Sequence, residues 1–311
     1  MSVRNPMAWM CAGIAASAIL AIAVLPFHGG TAATPAASAA PAAAVAQPRR
    51  IISLNLCTDQ ILLDLVPRER IVALSELVAD PALSGRVEAA KGLPLLRGHA
   101  EEVLAFAPDL VLAGEHSTPA TVDLLRRLGV RVVQVPMAVD FAGIRTAVRS
   151  VAAAAGVAAE GEAMVARFDQ RLARVAARVG SALSPPPGAV VYHVNSLASG
   201  AGSLLDEIVQ AAGYTNVARG MTLGPAGRLP LESLVLDAPD VVVMATTADT
   251  YRTTVADNLR HPAFRALVKT RHTVQLPMPL WMCGTPDVAD AVAELAAARK
   301  LAVARARDIR P

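Results

Sequence analysis

Two stretches of this chain, EEVLAFAPDLVLAG at residues 101–114 and ESLVLDAPDVVVMA at residues 232–245, repeat one small pattern. Each begins with a glutamate, reaches Pro-Asp seven residues later and continues into an apolar run. Helical spacing of apolar residues followed by a short apolar run predicts a helix that leads into a buried strand. A chain that carries this unit twice is predicted to contain two lobes of similar build.

Strand and helix patterns alternate on both sides of the repeated unit. The β-rich runs are short and lack polar alternation: residues 51–54, 71–74, 109–113, 130–135, 189–193, 240–244 and 272–276. Such strands, separated by helices, predict parallel sheets covered on both faces. A second echo, VQVPM at 133–137 against VQLPM at 274–278, follows in the same order. We therefore predict an α/β fold of two similar lobes, each a parallel-type sheet with flanking helices.

One long helix is predicted to join the two lobes. Residues 160–179 contain no proline, and at about 1.5 Å per residue their helix would be roughly 30 Å long. A rigid strut of this length predicts little change in lobe orientation when a ligand binds. A single large doubly wound domain is the alternative, and the repeat argues against it. The predicted organisation is a leader at 1–46, an N-terminal lobe at 49–139, linking helices at 140–184 and a C-terminal lobe at 185–304.

The first 46 residues have the pattern of an export signal. Arg4 supplies a positive charge, residues 7–25 form an apolar stretch, and Ala44-Val45-Ala46 fits a small-x-small cleavage site. The alternative is a retained membrane anchor, because the apolar run approaches spanning length. Cleavage would leave Cys57 and Cys283 as the only cysteines. In an oxidising compartment the two could form a disulfide, or they could stay separate thiols.

Composition excludes several classes of function. The chain has 311 residues, and 54% of them are hydrophobic, which is enough to build two packed cores. Its net charge is +3. Aromatic residues make up only 3% and the 29 Lys and Arg are scattered, so we predict no nucleic-acid partner. The sequence contains no GxSxG, GxxxxGK[ST] or helix-opening GxGxxG motif, so we predict no enzymatic activity. A thiol enzyme that pairs Cys57 with His193 is the remaining enzymatic alternative.

An ordered set of features carries a family resemblance. The set comprises Ile51-Ile52-Ser53-Leu54-Asn55, the two Glu…Pro-Asp units, the strand-loop-helix at 190–212 and the late Trp281. Over nearly all of residues 49–304 the chain resembles the helix-backbone (class III) periplasmic substrate-binding proteins of ABC importers. That class handles cobalamin, haem, ferric siderophores and some transition metals. The resemblance implies a periplasmic monomer with no cofactor of its own and a ligand cleft between its lobes.

The resemblance also gives the repeated glutamates a role. In this class each lobe presents a glutamate to arginines of one permease subunit, and by resemblance these residues are Glu101 and Glu232. The expected partner is then an ABC permease dimer at the inner membrane. An acid in the first helical turn is also favoured by the helix dipole, so an ordinary helix-terminal acid is the alternative at each position.

The candidate ligand-binding residues lie mostly where strands end. In open α/β sheets a ligand binds beyond the carboxyl ends of the strands, and two arginines precede the repeated glutamates by four residues. The resulting candidates are Asn55, Cys57, Arg97, His116, Tyr192, Asn195, Arg228 and Trp281. Cobalamin or a related corrinoid is the favoured ligand, because Ser-Leu-Asn-Leu-Cys and Leu-Trp-Met-Cys-Gly resemble the corrinoid-associated branch. A ferric siderophore comes second.

Direct metal binding is a weaker reading of the same residues. The chain has no HxxxH, HExxH or histidine-rich loop, so a zinc or manganese site would rest on His99, His116 and His193 alone. We therefore predict no metal held by protein side chains alone. A single histidine or Tyr192 as an axial ligand to haem iron stays open.

Overall fold

The computed structural model describes residues 47–180, 185–221, 223, 227–237, 239–244, 254 and 257–309. All of them fall in the unit Val45–Pro311. The predicted leader and its cleavage site lie outside the described residues. Among the described helices, none combines the length and the apolar character needed to cross a membrane.

The N-terminal lobe is built on a parallel sheet. Its strands are β1 (Ile51–Ser53), β2 (Ile71–Ser75), β3 (Leu95–Leu96), β4 (Leu110–Gly114) and β5 (Val132–Val135), and its helices are α1 (Leu56–Leu65), α2 (Val87–Ala90), α3 (Ala100–Ala105) and α4 (Pro119–Arg127). The strand order is β3-β2-β1-β4-β5. Every residue of β1 and β4 is buried, because helices cover both faces of the sheet's centre.

The C-terminal lobe repeats this plan with a second parallel sheet. Its strands are β6 (Gly188–Tyr192), β7 (Thr215–Asn216), β8 (Val241–Met244) and β9 (His272–Gln275), and its helices are α7 (Leu204–Ala211), α8 (Leu231–Asp237), α9 (Asp257–Arg260), α10 (Pro262–Thr270) and α11 (Val288–Ile309). The strand order is β7-β6-β8-β9. Two parallel sheets with flanking helices confirm the predicted fold class.

The repeated sequence unit forms a helix followed by a strand in each lobe. It forms α3 and β4 in the first lobe and α8 and β8 in the second. The Asp109 carboxylate accepts hydrogen bonds from the backbone N–H groups of Arg49 and Arg50, at 2.7 and 2.9 Å. The Asp240 carboxylate accepts one from the N–H of Gly188, at 2.8 Å. In both lobes the Pro-Asp turn therefore ties the start of the lobe's first strand to the strand beside it.

Two helices connect the lobes: α5 (Phe141–Ala155) and α6 (Ala158–Val179). Gly156 separates them in a left-handed conformation, with φ +72°, which glycine adopts without steric cost. The 22 residues of α6 give a helix about 33 Å long. The predicted long helix is thus confirmed, while the proposed domain boundaries stay a prediction.

Candidate functional site

A cavity of about 410 Å³ lies between the two lobes. Its N-terminal-lobe walls follow the carboxyl ends of β1, β4 and β5, and its C-terminal-lobe walls are the start of α7 and the segment after β9. This position obeys the general rule for open parallel sheets. The volume lies in the range of about 300–1,000 Å³ that is usual for small-molecule sites.

The structure brings four of the eight predicted ligand residues together in this cavity: Asn55, Cys57, His116 and Trp281. The first three belong to the N-terminal lobe and the indole to the C-terminal lobe. Residues that lie 165 to 226 positions apart in the chain thus face one space, as expected for a site formed by strand ends. His116 is the only histidine that lines this cavity within the described residues.

Asn55 organises the N-terminal wall. Its side-chain oxygen accepts hydrogen bonds from the N–H groups of Cys57 and Thr58, at 3.0 and 3.4 Å, and so caps the start of α1. Its amide nitrogen donates to Ser117 Oγ at 3.1 Å. A Cβ atom at Gly114 would lie 2.7 Å from that nitrogen, so glycine is needed there. Asn55 therefore fixes both the start of α1 and the position of the loop after β4.

Cys57 and Cys283 form a disulfide, with 5.1 Å between their Cα atoms. Of the two alternatives left open by the sequence, the structure has the bridge. The thiol-enzyme alternative is corrected by the same observation, because a sulfur in a disulfide is not available as a thiolate nucleophile. Cys57 still lines the cavity as part of the bridge.

Trp281 lines the cavity, and its indole contacts a neutral histidine, His193, that is not itself a lining residue. The His193 ring lies 5.4 Å from the indole, measured between ring centroids. Burial lowers the pKa of His193 to about 4, so the imidazole is uncharged at neutral pH. Its Nε2 lies 3.3 Å from Ser199 Oγ. The indole N–H of Trp281 is buried without a hydrogen-bond partner in the described part of the chain.

Two predicted ligand residues lie elsewhere. Tyr192 is fully buried, and its ring stacks on Phe264 at 5.5 Å in the core of the C-terminal lobe. Arg97 is exposed, and its guanidinium pairs with Glu76 at 3.3 Å. Neither side chain lines the cavity. The interpretation of Tyr192 as a ligand contact or axial haem ligand is therefore corrected: it is the last residue of β6, and its side chain packs into the core.

The remaining two predicted ligand residues lie beside a second pocket. Asn195 and Arg228 line a polar space of about 350 Å³ together with Ser196 and Asn258. Asn258 donates a hydrogen bond at 2.9 Å to the carbonyl of His193, the residue whose ring contacts Trp281. The second pocket thus adjoins the wall of the cavity through His193.

The predicted ligand residues do not include the two methionines of the cavity, Met137 and Met282. They come from opposite lobes, and 62% of Met137 and 40% of Met282 is exposed to solvent. A signal for Met137 was present, because it follows a strand end directly in the VQVPM echo. Thioether side chains are flexible and adapt to irregular apolar surfaces, which suits a binding wall.

The cavity offers few groups that could hold a metal. Within the described residues, no cluster of three or more His, Cys, Asp or Glu side chains is placed to bind an ion. A metal that arrives inside an organic chelate needs only one axial ligand, and imidazole or thioether can serve haem iron in that way. His116, Met137 and Met282 are the lining residues of those types.

A buried carboxyl lies behind the cavity wall, next in sequence to Thr58. Asp59 accepts hydrogen bonds from the hydroxyl and the backbone N–H of Ser75. Burial raises its pKa to about 7, although the hydrogen bonds act in the opposite direction. The folded protein therefore binds a proton at Asp59 that an unfolded chain releases near pH 4.

Replacing Asp59 by asparagine should change how stability depends on pH. A raised carboxyl pKa contributes stability at low pH, and this contribution is lost as the pH rises from about 4 to 7. The unfolding free energy of Asp59→Asn minus that of the wild type should therefore increase by about 1.4 kcal/mol per pH unit in that window. Urea unfolding between pH 4.5 and 8 measures this difference. The lowered pKa of His193 has the opposite slope and cancels in the subtraction. A difference that does not change with pH would contradict the assignment.

The two repeated glutamates lie outside both pockets. Glu101 is on α3 and Glu232 on α8, both in the first turn of their helix. Both are exposed, and neither lines the cavity or the second pocket.

Comparison with known proteins adds independent findings. The model of a family described as periplasmic binding proteins matches residues 51–278. A cobalamin-binding protein of Halobacterium salinarum is 30% identical over 206 residues, which cover 65% of this chain and 55% of the relative. The alignment thus spans about half the length of that relative.

Solved structures show the same architecture. A periplasmic haem-binding protein from Pseudomonas aeruginosa superposes with a TM-score of 0.65 at 25% identity, covering 81% of this chain and 92% of the other. The periplasmic vitamin B12 binding protein of Vibrio cholerae superposes with a TM-score of 0.63 at 19% identity, covering 83% of this chain and 98% of the other. At its lower identity, the second likeness is one of fold alone.

Proposed function

Since the chain belongs to the periplasmic binding protein family, we propose that it is the substrate-binding component of an ABC importer and captures a metal chelate between its lobes. The observation that carries the proposal is the cavity at the carboxyl ends of the N-terminal strands. An indole and two methionines from both lobes surround it, together with a few polar groups. Small-molecule sites are generally lined by apolar side chains with a few placed polar groups, and this cavity has that composition.

Cobalamin or a related corrinoid is the ligand that we favour. The Halobacterium relative is a cobalamin-binding protein, and Asn55, Ser117 and Ser203 are polar residues among those that line the cavity, as a ligand rimmed with amides requires. Haem is the second candidate. Its support is the haem-binding structure at 25% identity and the presence of His116 in the cavity.

A titration of the purified protein with cyanocobalamin, haemin and a ferric hydroxamate separates these candidates. Trp281 is the only tryptophan after Trp9, so a leaderless chain has one indole, and it lies at the cavity. Corrinoids absorb where tryptophan emits, so we expect cyanocobalamin to quench this fluorescence strongly and to raise the melting temperature. Haemin that binds more tightly, with a shifted Soret band abolished by His116→Ala, would replace cobalamin by haem. Binding of none of the three would contradict the proposal.

Trp281→Ala should weaken ligand binding by roughly ten- to hundredfold, because a packed aromatic side chain contributes on the order of 1–3 kcal/mol. Isothermal titration with the ligand identified above measures the effect. Trp281→Phe, which keeps an aromatic face, should retain most of the affinity. Leu128→Ala, at an exposed position outside the cavity, is the matched control. An unchanged affinity in Trp281→Ala would remove this residue from the site.

The proposed partner is a permease dimer in the inner membrane. Three residues after each repeated glutamate stands an apolar side chain, Leu104 after Glu101 and Val235 after Glu232, and each is 38% exposed. The two lobes therefore present matching patches, each with one acid and one apolar side chain, as a partner with two similar subunits requires. Exposed carboxylates steer and orient such an encounter more than they add affinity. In this proposal the protein acts in the periplasm as a monomer, with no nucleic-acid partner and no enzymatic step.

A further inference from the structure

One short segment of the C-terminal lobe, residues 283–287, is attached to the N-terminal lobe at three points. Cys283 is bridged to Cys57 of α1. Asp287 pairs at 3.0 Å with Arg86, which also pairs at 2.7 Å with Asp64 at the other end of α1. We call this segment and its partners the lobe seam.

The third attachment is a close backbone approach. A Cβ atom at Gly284 would collide with the Cβ of Ala138 and lie 3.0 Å from its carbonyl oxygen. Ala138 follows β5, so this contact joins the seam to the strand-end loop of the N-terminal lobe. Glycine is therefore needed for the two lobes to approach each other this closely.

The seam is firmly held on the side of the C-terminal lobe. Val288, Ala289 and Val292, in the first turns of α11, are buried in the core of that lobe. Arg171 of α6 donates to the carbonyl of Pro286 at 3.3 Å and pairs with Asp290. Movement of the segment would therefore also displace α11 and α6. An attachment between this segment and the N-terminal lobe consequently holds the two lobes together.

The ionic part of the seam is partly shielded from water. The Asp287 side chain is 14% exposed and that of Arg86 is 23% exposed. The hydrogen bond with Asp64 raises the pKa of Arg86, with a further contribution from Asp287. Arg86 thus stays charged and joins two carboxylates from different lobes. Partly buried pairs of this kind are screened less by salt than exposed ones.

The seam also forms part of the ligand cavity. Cys57 lines it, and so do Met282 and Gly284 on either side of Cys283, together with Ala138. A rotation of one lobe against the other would therefore have to break the seam or change the distance between the walls that carry His116 and Trp281.

We propose that the Cys57–Cys283 disulfide and Arg86 are positioning groups that hold the empty cleft at its ligand-binding width. This inference rests on the proposed ligand site. It makes the affinity depend on a covalent link between the lobes, in addition to the side chains that touch the ligand. The helices α5 and α6 each contribute buried residues to the cores of both lobes, and the seam adds a covalent and ionic restraint against rotation of one lobe relative to the other.

The test compares lobe movement and affinity in Cys57→Ala/Cys283→Ala with those of the wild type. Spin labels on non-cysteine unnatural residues at Asp123 and Ala266, exposed in opposite lobes, report the interlobe distance by pulsed EPR. We expect a narrow distribution in the ligand-free wild type and a broad one in the variant. Affinity for cyanocobalamin or haemin should fall about tenfold when only a tenth of the molecules hold the competent orientation.

Two variants of Arg86 and a measurement on the ligand-free protein separate the possible outcomes. Arg86→Gln leaves the disulfide in place and should broaden the distribution less, while Arg86→Lys should recover part of the wild-type behaviour. A wild type that binds none of the probes would contradict the proposed function. The distance measurement needs no ligand, so it would still test whether the seam fixes the orientation of the lobes. Unchanged distances and affinity in the double cysteine variant would overturn the inference.

Discussion

A chain with Glu101→Arg and Glu232→Arg should bind its ligand as tightly as the wild type and yet support no uptake through its importer. Both residues are exposed and lie outside the cavity and the second pocket, so affinity and melting temperature should change little. A single exposed ion pair is worth only about 0.2–1 kcal/mol, so Glu101→Ala alone should have a small effect. Reversal at both positions opposes the approach of basic permease sites and removes the steering field.

The measurement is transport into cells or proteoliposomes, together with ligand-stimulated ATPase activity of the transporter. Glu69→Arg/Glu160→Arg is a matched control, because it reverses two exposed carboxylates outside α3 and α8 with the same change in net charge. The control should transport normally. Normal uptake by Glu101→Arg/Glu232→Arg would contradict the docking role, and loss of ligand binding would place these glutamates in the ligand site instead.

Removal of the disulfide should lower the free energy of unfolding by about 2–5 kcal/mol. The bridge joins residues 226 positions apart, and a cross-link restricts the unfolded chain more as the loop that it closes becomes longer. We expect urea unfolding of Cys57→Ala/Cys283→Ala to have a lower midpoint than that of the oxidised wild type. The fully reduced wild type should behave in the same way, which separates loss of the bridge from loss of sulfur packing at the buried Cys283.

Arg86→Gln is the matched comparison for stability. Its ion pairs contribute to the same seam without a covalent link, so their loss does not release the unfolded chain from a closed loop. This variant should therefore unfold close to the wild-type midpoint. A cysteine variant with a stability loss below about 1 kcal/mol would show that the unfolded chain is not much restricted by the bridge.

Much of the fold could be predicted from short-range patterns in the sequence. Buried parallel strands are short apolar runs, and a helix start carries its own signals, so the repeated Glu…Pro-Asp unit predicted two similar lobes. The structure adds the reason for the aspartates, since Asp109 and Asp240 each accept hydrogen bonds from the start of their lobe's first strand. That contact joins segments far apart in the chain, and no local pattern reveals it.

Within the site, position relative to a strand end was enough to place several residues at the cavity, while their contacts with a ligand stay a prediction. Asn55, His116 and Trp281 stand at or after strand ends, and the structure brings them to one cavity. Prediction failed for Tyr192, because the last residue of a strand can point into the core or into the cleft. The packing against Phe264 decides between these. Arg97 was wrongly predicted to contact the ligand for a related reason, because its guanidinium instead forms an ion pair with Glu76.

The sequence by itself determined that this chain builds two parallel α/β lobes joined by a long helix, because strand, helix and cap signals act over a few residues. Only the tertiary structure decided what happens between the lobes. The disulfide depends on Cα atoms 5.1 Å apart, and the Arg86–Asp287 pair and the contact of Gly284 with Ala138 depend on the angle between the lobes. Distance in space between residues more than a hundred positions apart is set by the packing of whole lobes, and the pattern along the chain does not carry it.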